Sequence, residues 1–351
     1  MERRTFIRHA MLAGTASVFP GCRRAGAKEE VLRALVERVV VPNTADVAKT
    51  SRRLAVDLAR LVAEPSLASL RASREQWQRA LSSWKRADVF RSGPIMDTNC
   101  LLRAMFWPVR TGAIDALLQG SASIDDASID AMGVDRRGLF ALEYLLYPAQ
   151  AEDRILAGFV GPGGERRARF ASALASNVSL HADQAARSLG DGKEYARKFA
   201  ERGQDSLSLV VGQLVHTVEN VSATRLARIS SLAKRGLLQA TEVEGGVARV
   251  SQEIALTYLR GAEQLYLGVD HGLRQLVSAL SGAVDDQIRS TFSQAIAAVS
   301  NLGLPLEEVA KQDPGALDAA AGVVKKLERG LKTDLASTLG VTMTFSSLDG
   351  D

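Results

Sequence analysis

The chain has 351 residues, 46% of them hydrophobic but only 5% aromatic, which is enough apolar material for one large core or two smaller ones. Ala and Leu dominate the apolar set, a composition that favours helices over sheets. The 44 Lys and Arg and 40 Asp and Glu are mixed along the chain, with no basic block and no interleaved aromatics, which excludes a nucleic-acid partner.

The first element is a leader. Arg3-Arg4 is followed by apolar residues, an apolar run from Ala10 to Phe19, and then Pro20-Gly21-Cys22. This is the charged, apolar and small-residue order of a secretory signal over residues 1–21, in the twin-arginine variant, and the run is too short to stay as a membrane span. Phe19-Pro20-Gly21-Cys22 resembles a lipoprotein cleavage box, although Pro20 is an untypical neighbour. Lipidation of Cys22 would anchor the chain to the membrane, whereas cleavage nearby by an ordinary signal peptidase would leave Cys22 incidental. Removing residues 1–21 deletes three arginines and one glutamate and lowers the net charge of +4 by two. With Cys22 lipidated, Cys100 has no disulfide partner and reads as a buried, inert thiol in Cys100-Leu101-Leu102.

After a short polar linker, Arg23 to Lys28, Val31, Leu32, Leu35, Val39 and Val40 repeat at helical spacing, and Pro42-Asn43-Thr44 breaks the pattern. A second helix runs from Asp46 to Ala63. Pro65-Ser66 makes a turn and cap, and Leu67, Leu70, Trp77, Leu81 and Trp84 line a third helix to about Val89. Trp77 and Trp84 read as core, and Arg86 and Asp88 as solvated. A loop at 91–94, a short apolar element ending at Trp107-Pro108, a helix over 109–118 and a polar stretch over 121–134 follow. Gly138 opens an apolar helix, Leu139 to Tyr147, closed by Pro148. Helices are predicted over 165–189, 206–233, 250–266, 273–280 and 288–302, then a short segment after Pro305. Leu317, Ala320, Val324, Leu327, Leu331, Leu335 and Leu339 form the stripe of a terminal helix. No stretch shows the two-residue alternation of a strand. The prediction is therefore an all-α protein of two antiparallel helical-bundle lobes, residues 31–200 and 201–346, preceded by the lipidated Cys and linker at 22–30.

Several short motifs occur in a recognisable order: Arg74-x-x-Trp77 with Ala80 and Trp84, Phe90-x-x-Gly93-Pro94, Asp97, Trp107-Pro108, Gly138-Leu-Phe140-Ala-Leu-Glu143-Tyr-Leu-Leu, Arg225-Leu226, and Ser251 through Leu265-Tyr266-Leu267-Gly268. Together they resemble the imelysin family over about Val31 to Leu339. That family's signature reads Gly-x-His-x-x-Glu, and here Phe140 stands where the family has its His. The resemblance implies two bundle-like lobes, an envelope location and often a lipoprotein anchor. It also implies a link to iron uptake and, from the family's name, a peptidase.

A His and a Glu three residues apart share a helix face and suit a transition metal, iron first by association. Phe140 supplies no ligand, so Glu143 would need partners from other helices. A carboxylate in so apolar a helix is costly unless paired, and the expectation is a buried ion pair with Arg103, Arg110 or Arg74, with Glu143, Asp97, Arg103 and Arg110 as the candidate ligand or metal residues. His216 and Glu219 repeat the His-x-x-Glu spacing, which is common by chance. His181 lies near Asp183, and His271 reads as a cap. No His-Glu-x-x-His, Cys pair or Gly-x-Ser-x-Gly is present, so no catalytic residue can be assigned. The functional expectation is a non-enzymatic envelope lipoprotein that binds a ligand, a metal or a partner protein and is linked to iron acquisition. The alternatives are a metallopeptidase of the imelysin type and a structural interaction module with a degenerate site.

Overall fold

A computed structural model describes residues 20–147, 151–160 and 163–342. The twin-arginine leader and the side chain of Cys22 lie outside the described residues, as does Pro148.

The described residues are predominantly helical, in keeping with the composition. Helix α1 (Pro20–Leu35) passes through a π turn, Val36–Val40, into α2 (Val41–Ala63). Two expectations fail here. The stretch read as a polar linker is the start of α1, and Pro42 does not break the helix. The N–H of Val41 bonds back to the carbonyl of Val36, so the ladder changes register just before Pro42, and the missing proline N–H falls in the first turn of the new register.

Helix α3 (Leu67–Ala87) buries Leu70, Trp77, Leu81 and Trp84 and exposes Arg71, Glu75 and Arg79. Both indoles are fully buried and their N–H groups are satisfied. Trp77 Nε1 donates to the carbonyl of Leu139 at 2.7 Å and Trp84 Nε1 to Ser51 Oγ at 3.0 Å. Each such side chain contributes about 2–3 kcal/mol of hydrophobic stabilisation. Short helices follow: α4 (Pro94–Asp97), α5 (Cys100–Met105), α6 (Thr111–Gln119) and α7 (Asp126–Ala131). The signature helix α8 (Leu139–Leu146) and α9 (Glu152–Val160) lead to the long α10 (Gly164–Leu189), which packs on α2, α8 and α9. Helix α2 in turn packs on both α3 and α10.

Helices α11 (Lys193–Glu201) and α12 (Gln204–Glu219) come next. Helix α12 continues through a π turn, Asn220–Ala227, into α13 (Arg228–Lys234). A connection over 235–250, irregular apart from a 3-10 turn at Ala240–Glu242, precedes α14 (Ser251–Leu267), which is followed by α15 (Leu273–Leu280), α16 (Gly282–Ser300) and α17 (Leu306–Gln312). Helix α18 (Pro314–Gly330) runs through a π turn, Leu331–Leu335, into α19 (Ala336–Leu339) and buries the predicted leucine stripe against α12 and α16. Helix α14 packs on α3 as well as on α12 and α16, so buried residues from Val31 to Val341 form one continuous core. Among the described residues the only β pairing is a single bridge between Val269 and His271.

Candidate functional site

The signature helix explains its own composition. Seven of its residues, including Phe140 and Glu143, are buried, so it is apolar all round. Gly138 enters it at φ +82°, and a Cβ there would stand 2.5 Å from the carbonyl oxygen of Ala104, so only glycine fits. Arginines close its far end: Arg74 Nε donates to the Leu146 carbonyl and Arg167 Nη2 to the Leu145 carbonyl, each at 2.7 Å.

Glu143 is 3% exposed, and the expected arginine partner is absent. Its Oε1 accepts a 2.8 Å hydrogen bond from the backbone N–H of Ala248, and no ion pair among the described residues includes it. The three arginines are engaged elsewhere: Arg103 with Asp130 at 3.0 Å, Arg110 with Asp135 at 3.3 Å, and Arg74 with Glu152 at 2.7 Å. Glu143 solves its burial by keeping its proton. Desolvation pushes its pKa up to about 8, with the negative charges of Glu244 and Glu307 adding to the rise and the Ala248 N–H and Lys85 opposing it. Asp97 is exposed at the end of α4 and is not brought to Glu143.

A cation covers Phe140. The buried ammonium of Lys85, on α3, stands 5.1 Å from the centroid of the Phe140 ring and is paired at 2.5 Å with Glu244. Arg225, from the π turn after α12, pairs with the other oxygen of Glu244 and lies 4.3 Å over the ring of Tyr258 on α14. Burial would raise the Glu244 carboxyl, but Arg225 and Lys85 outweigh it and hold the pKa down at about 2. Tyr258 donates to Asp88 at 2.5 Å, and Arg91 donates to both oxygens of Asp88 at 2.8 and 2.9 Å. Burial, followed by the charge of Asp88, drives the Tyr258 phenol well above its ordinary range, so it stays neutral.

This cluster floors a cavity of about 420 Å³ lined also by Met96, Leu102, Met105, Phe106 and Trp107. Asp88, read from the sequence as solvated, is buried in it. Lys85, Glu244 and Tyr258 were not identified from the sequence, and Arg225 only as part of a motif. One signal was available: Leu81, Lys85 and Asp88 follow the spacing of the buried face of α3, so two charges sit in an apolar stripe. Glu244 carries no such mark, because it lies in irregular chain.

A metal ion does not fit the signature position. Phe140 offers no donor atom, Glu143 is protonated at neutral pH, and the group standing over the Phe140 ring is an ammonium. Among the described residues no three His, Cys, Asp or Glu side chains are grouped to hold an ion. His181 Nε2 instead meets Asp130 at 2.9 Å, Asp183 pairs with Arg52, and Glu219 pairs with Lys332 rather than with His216. Cys100 is buried, its thiol faces the Ile95 carbonyl at 3.3 Å, and burial raises its pKa, which makes it a poor nucleophile.

A family model described as Imelysin matches residues 40–333. Iron-regulated protein A of Synechococcus elongatus is 30% identical over 141 residues, which cover 39% of this chain and only 37% of that protein. A crystal structure from Parabacteroides distasonis, described as an iron-regulated protein A precursor, superposes with a TM-score of 0.76 at 12% identity, covering 90% of this chain and 95% of that one. An imelysin-like protein from Psychrobacter arcticum gives a TM-score of 0.71 at 16% identity, covering 92% and 98%. These two structures share the fold.

Proposed function

The chain belongs to the imelysin family, and from that premise we propose that it is a non-enzymatic binding protein of the cell envelope, anchored through a lipidated Cys22 and serving iron acquisition. One observation carries the non-enzymatic part. At the position of the family's His, a phenylalanine is covered by an ammonium that is itself locked by Glu244, beside a glutamic acid that keeps its proton. Such a set offers neither an activated nucleophile nor a metal-bound water, and Glu143, enclosed and hydrogen-bonded to the Ala248 N–H, is not open to a substrate. What it offers is an adjoining cavity with a charged floor and an apolar rim, the usual make-up of a ligand site. The iron association is drawn from the names of the Synechococcus relative and the Parabacteroides structure. The envelope placement is drawn from the twin-arginine leader and Cys22.

Two experiments test the reading. Full-length protein expressed with labelled palmitate should carry the label and sediment with membranes, and Cys22→Ser should lose both. Release of the unsubstituted chain as a soluble unlabelled protein would end the lipoprotein assignment. Purified protein incubated with a mixed peptide library should leave it intact, and cleavage that disappears in Glu143→Gln would establish a peptidase instead.

A further inference from the structure

The cavity beside the signature helix has an unequal count of donors and acceptors. Its lining includes three cations, Lys85, Arg225 and the more exposed Arg91, against two carboxylates, Asp88 and Glu244. Every oxygen of those carboxylates is already engaged. Glu244 gives one oxygen to Lys85 and the other to Arg225, while Asp88 gives one to Arg91 and the other to Arg91 and Tyr258. The donors are not exhausted. The Lys85 ammonium has three protons to give and makes one hydrogen bond, while the unpartnered Nε of Arg225 is enclosed by protein. A floor with spare donors, no free carboxylate oxygen and one excess positive charge selects against a cation and in favour of an anion.

The mouth adds a second constraint. Met96 and Leu102 are 44% and 52% exposed, and both line the cavity with Met105, Phe106 and Trp107. Large apolar side chains held open to water around a charged floor suit a ligand that carries its own apolar body. A hydrated inorganic anion would leave them uncovered.

We propose that this cavity binds an organic carboxylate with an apolar body, its charged end at Lys85 and Arg225 and its body against Met96, Leu102 and Trp107. The proposal rests on the binding-protein reading above and gives that site its ligand class. It also means that any iron bound here arrives as an anionic organic chelate and not as a bare ion.

The test is isothermal titration of the full-length protein with three probes of equal chain length, octanoate, 1-octanol and octylamine, and with zinc chloride. Octanoate should saturate at one per chain, bind at least tenfold more tightly than octanol, and weaken as salt is raised. Octylamine and zinc should give no saturable heat. Leu102→Asp, at an exposed position that leaves the core untouched, should weaken octanoate at least tenfold, and so should Lys85→Met. Lys85→Met removes a buried charge from a pair, so its helical signal is checked first, and Leu102→Asp carries the test if it does not fold. Octylamine or zinc binding as tightly as octanoate would overturn the anion assignment while leaving a binding protein. Failure of all four probes to saturate would overturn the binding-protein reading as well.

Discussion

Gly138 and Glu143 bound the signature motif, and each carries a different constraint. Gly138 is fixed by backbone, because its φ of +82° and the Ala104 carbonyl leave no room for a side chain. Gly138→Ala should therefore destabilise the protein by more than about 2 kcal/mol, measured by denaturant unfolding. A variant within 0.5 kcal/mol of the original, roughly the scatter of surface substitutions, would show that the helix entry can shift. The burial of Glu143 could be read from its apolar neighbours, but its partner could not. The rule that a buried carboxylate needs a cation has a second solution, protonation, and which one applies depends on what a distant loop places opposite it. The same limit hid Glu244. Nothing in residues 240–250 announces a buried anion, whereas Lys85, one of the two cations it satisfies, lies on the regular helix α3 within its buried stripe.

Helices were the most legible level, because a buried stripe repeats at 3.6 residues and tertiary packing reinforces it. The helix over 273–280 coincides with its predicted bounds, and the leucine stripe ending at Leu339 is buried as expected. Errors gathered where a helix is irregular. The stretch 206–233 was read as one helix, but it contains a π turn over Asn220–Ala227, and that turn carries Arg225 to Glu244. A single widened turn leaves no mark in hydrophobic spacing. Caps were easier. Ser66, expected at the start of α3, forms a reciprocal cap with Ser69, its Oγ accepting from the Ser69 N–H at 3.1 Å while the Ser66 N–H donates to Ser69 Oγ at 3.0 Å. Ser66→Ala should cost about 1 kcal/mol in thermal or denaturant unfolding, and Ser66→Asp should restore most of it. Equal losses in both variants would place the effect in packing and not in the cap.

Two glutamates with large shifts in opposite directions pull on the pH dependence of the whole molecule. Glu244 has a folded pKa of about 2 against an ordinary 4.5, so its contribution is present above 4.5 and is lost as pH falls towards 2. Glu143 has a folded pKa of about 8, so the folded state holds a proton that the unfolded chain has released. Its contribution is full below 4.5 and is lost as pH rises to 8. Melting temperature should therefore climb from pH 2 to about 4.5 and decline from there to pH 8. Each limb is of the order of a few kcal/mol. Glu143→Gln keeps an acceptor for the Ala248 N–H and has no proton to lose, so it should shallow the upper limb, to which the raised Glu307 carboxyl also contributes, and leave the lower one. An upper limb of unchanged slope in that variant would remove Glu143 as its cause.

The hydrogen bond from Ala248 to Glu143 gives the molecule a built-in spectroscopic probe. One amide, on the irregular chain before α14, points at one carboxyl oxygen of the signature helix at 2.8 Å. Its proton and nitrogen resonances should move with a single midpoint near pH 8 as that carboxyl ionises, and should stay still in Glu143→Gln. The same signal reads occupancy, because an anion settling beside Lys85 adds negative charge near Glu143 and should push that midpoint higher. Following one peak through a pH series, with and without octanoate, would thus read the charge on the buried acid and the filling of the neighbouring cavity in the same spectrum.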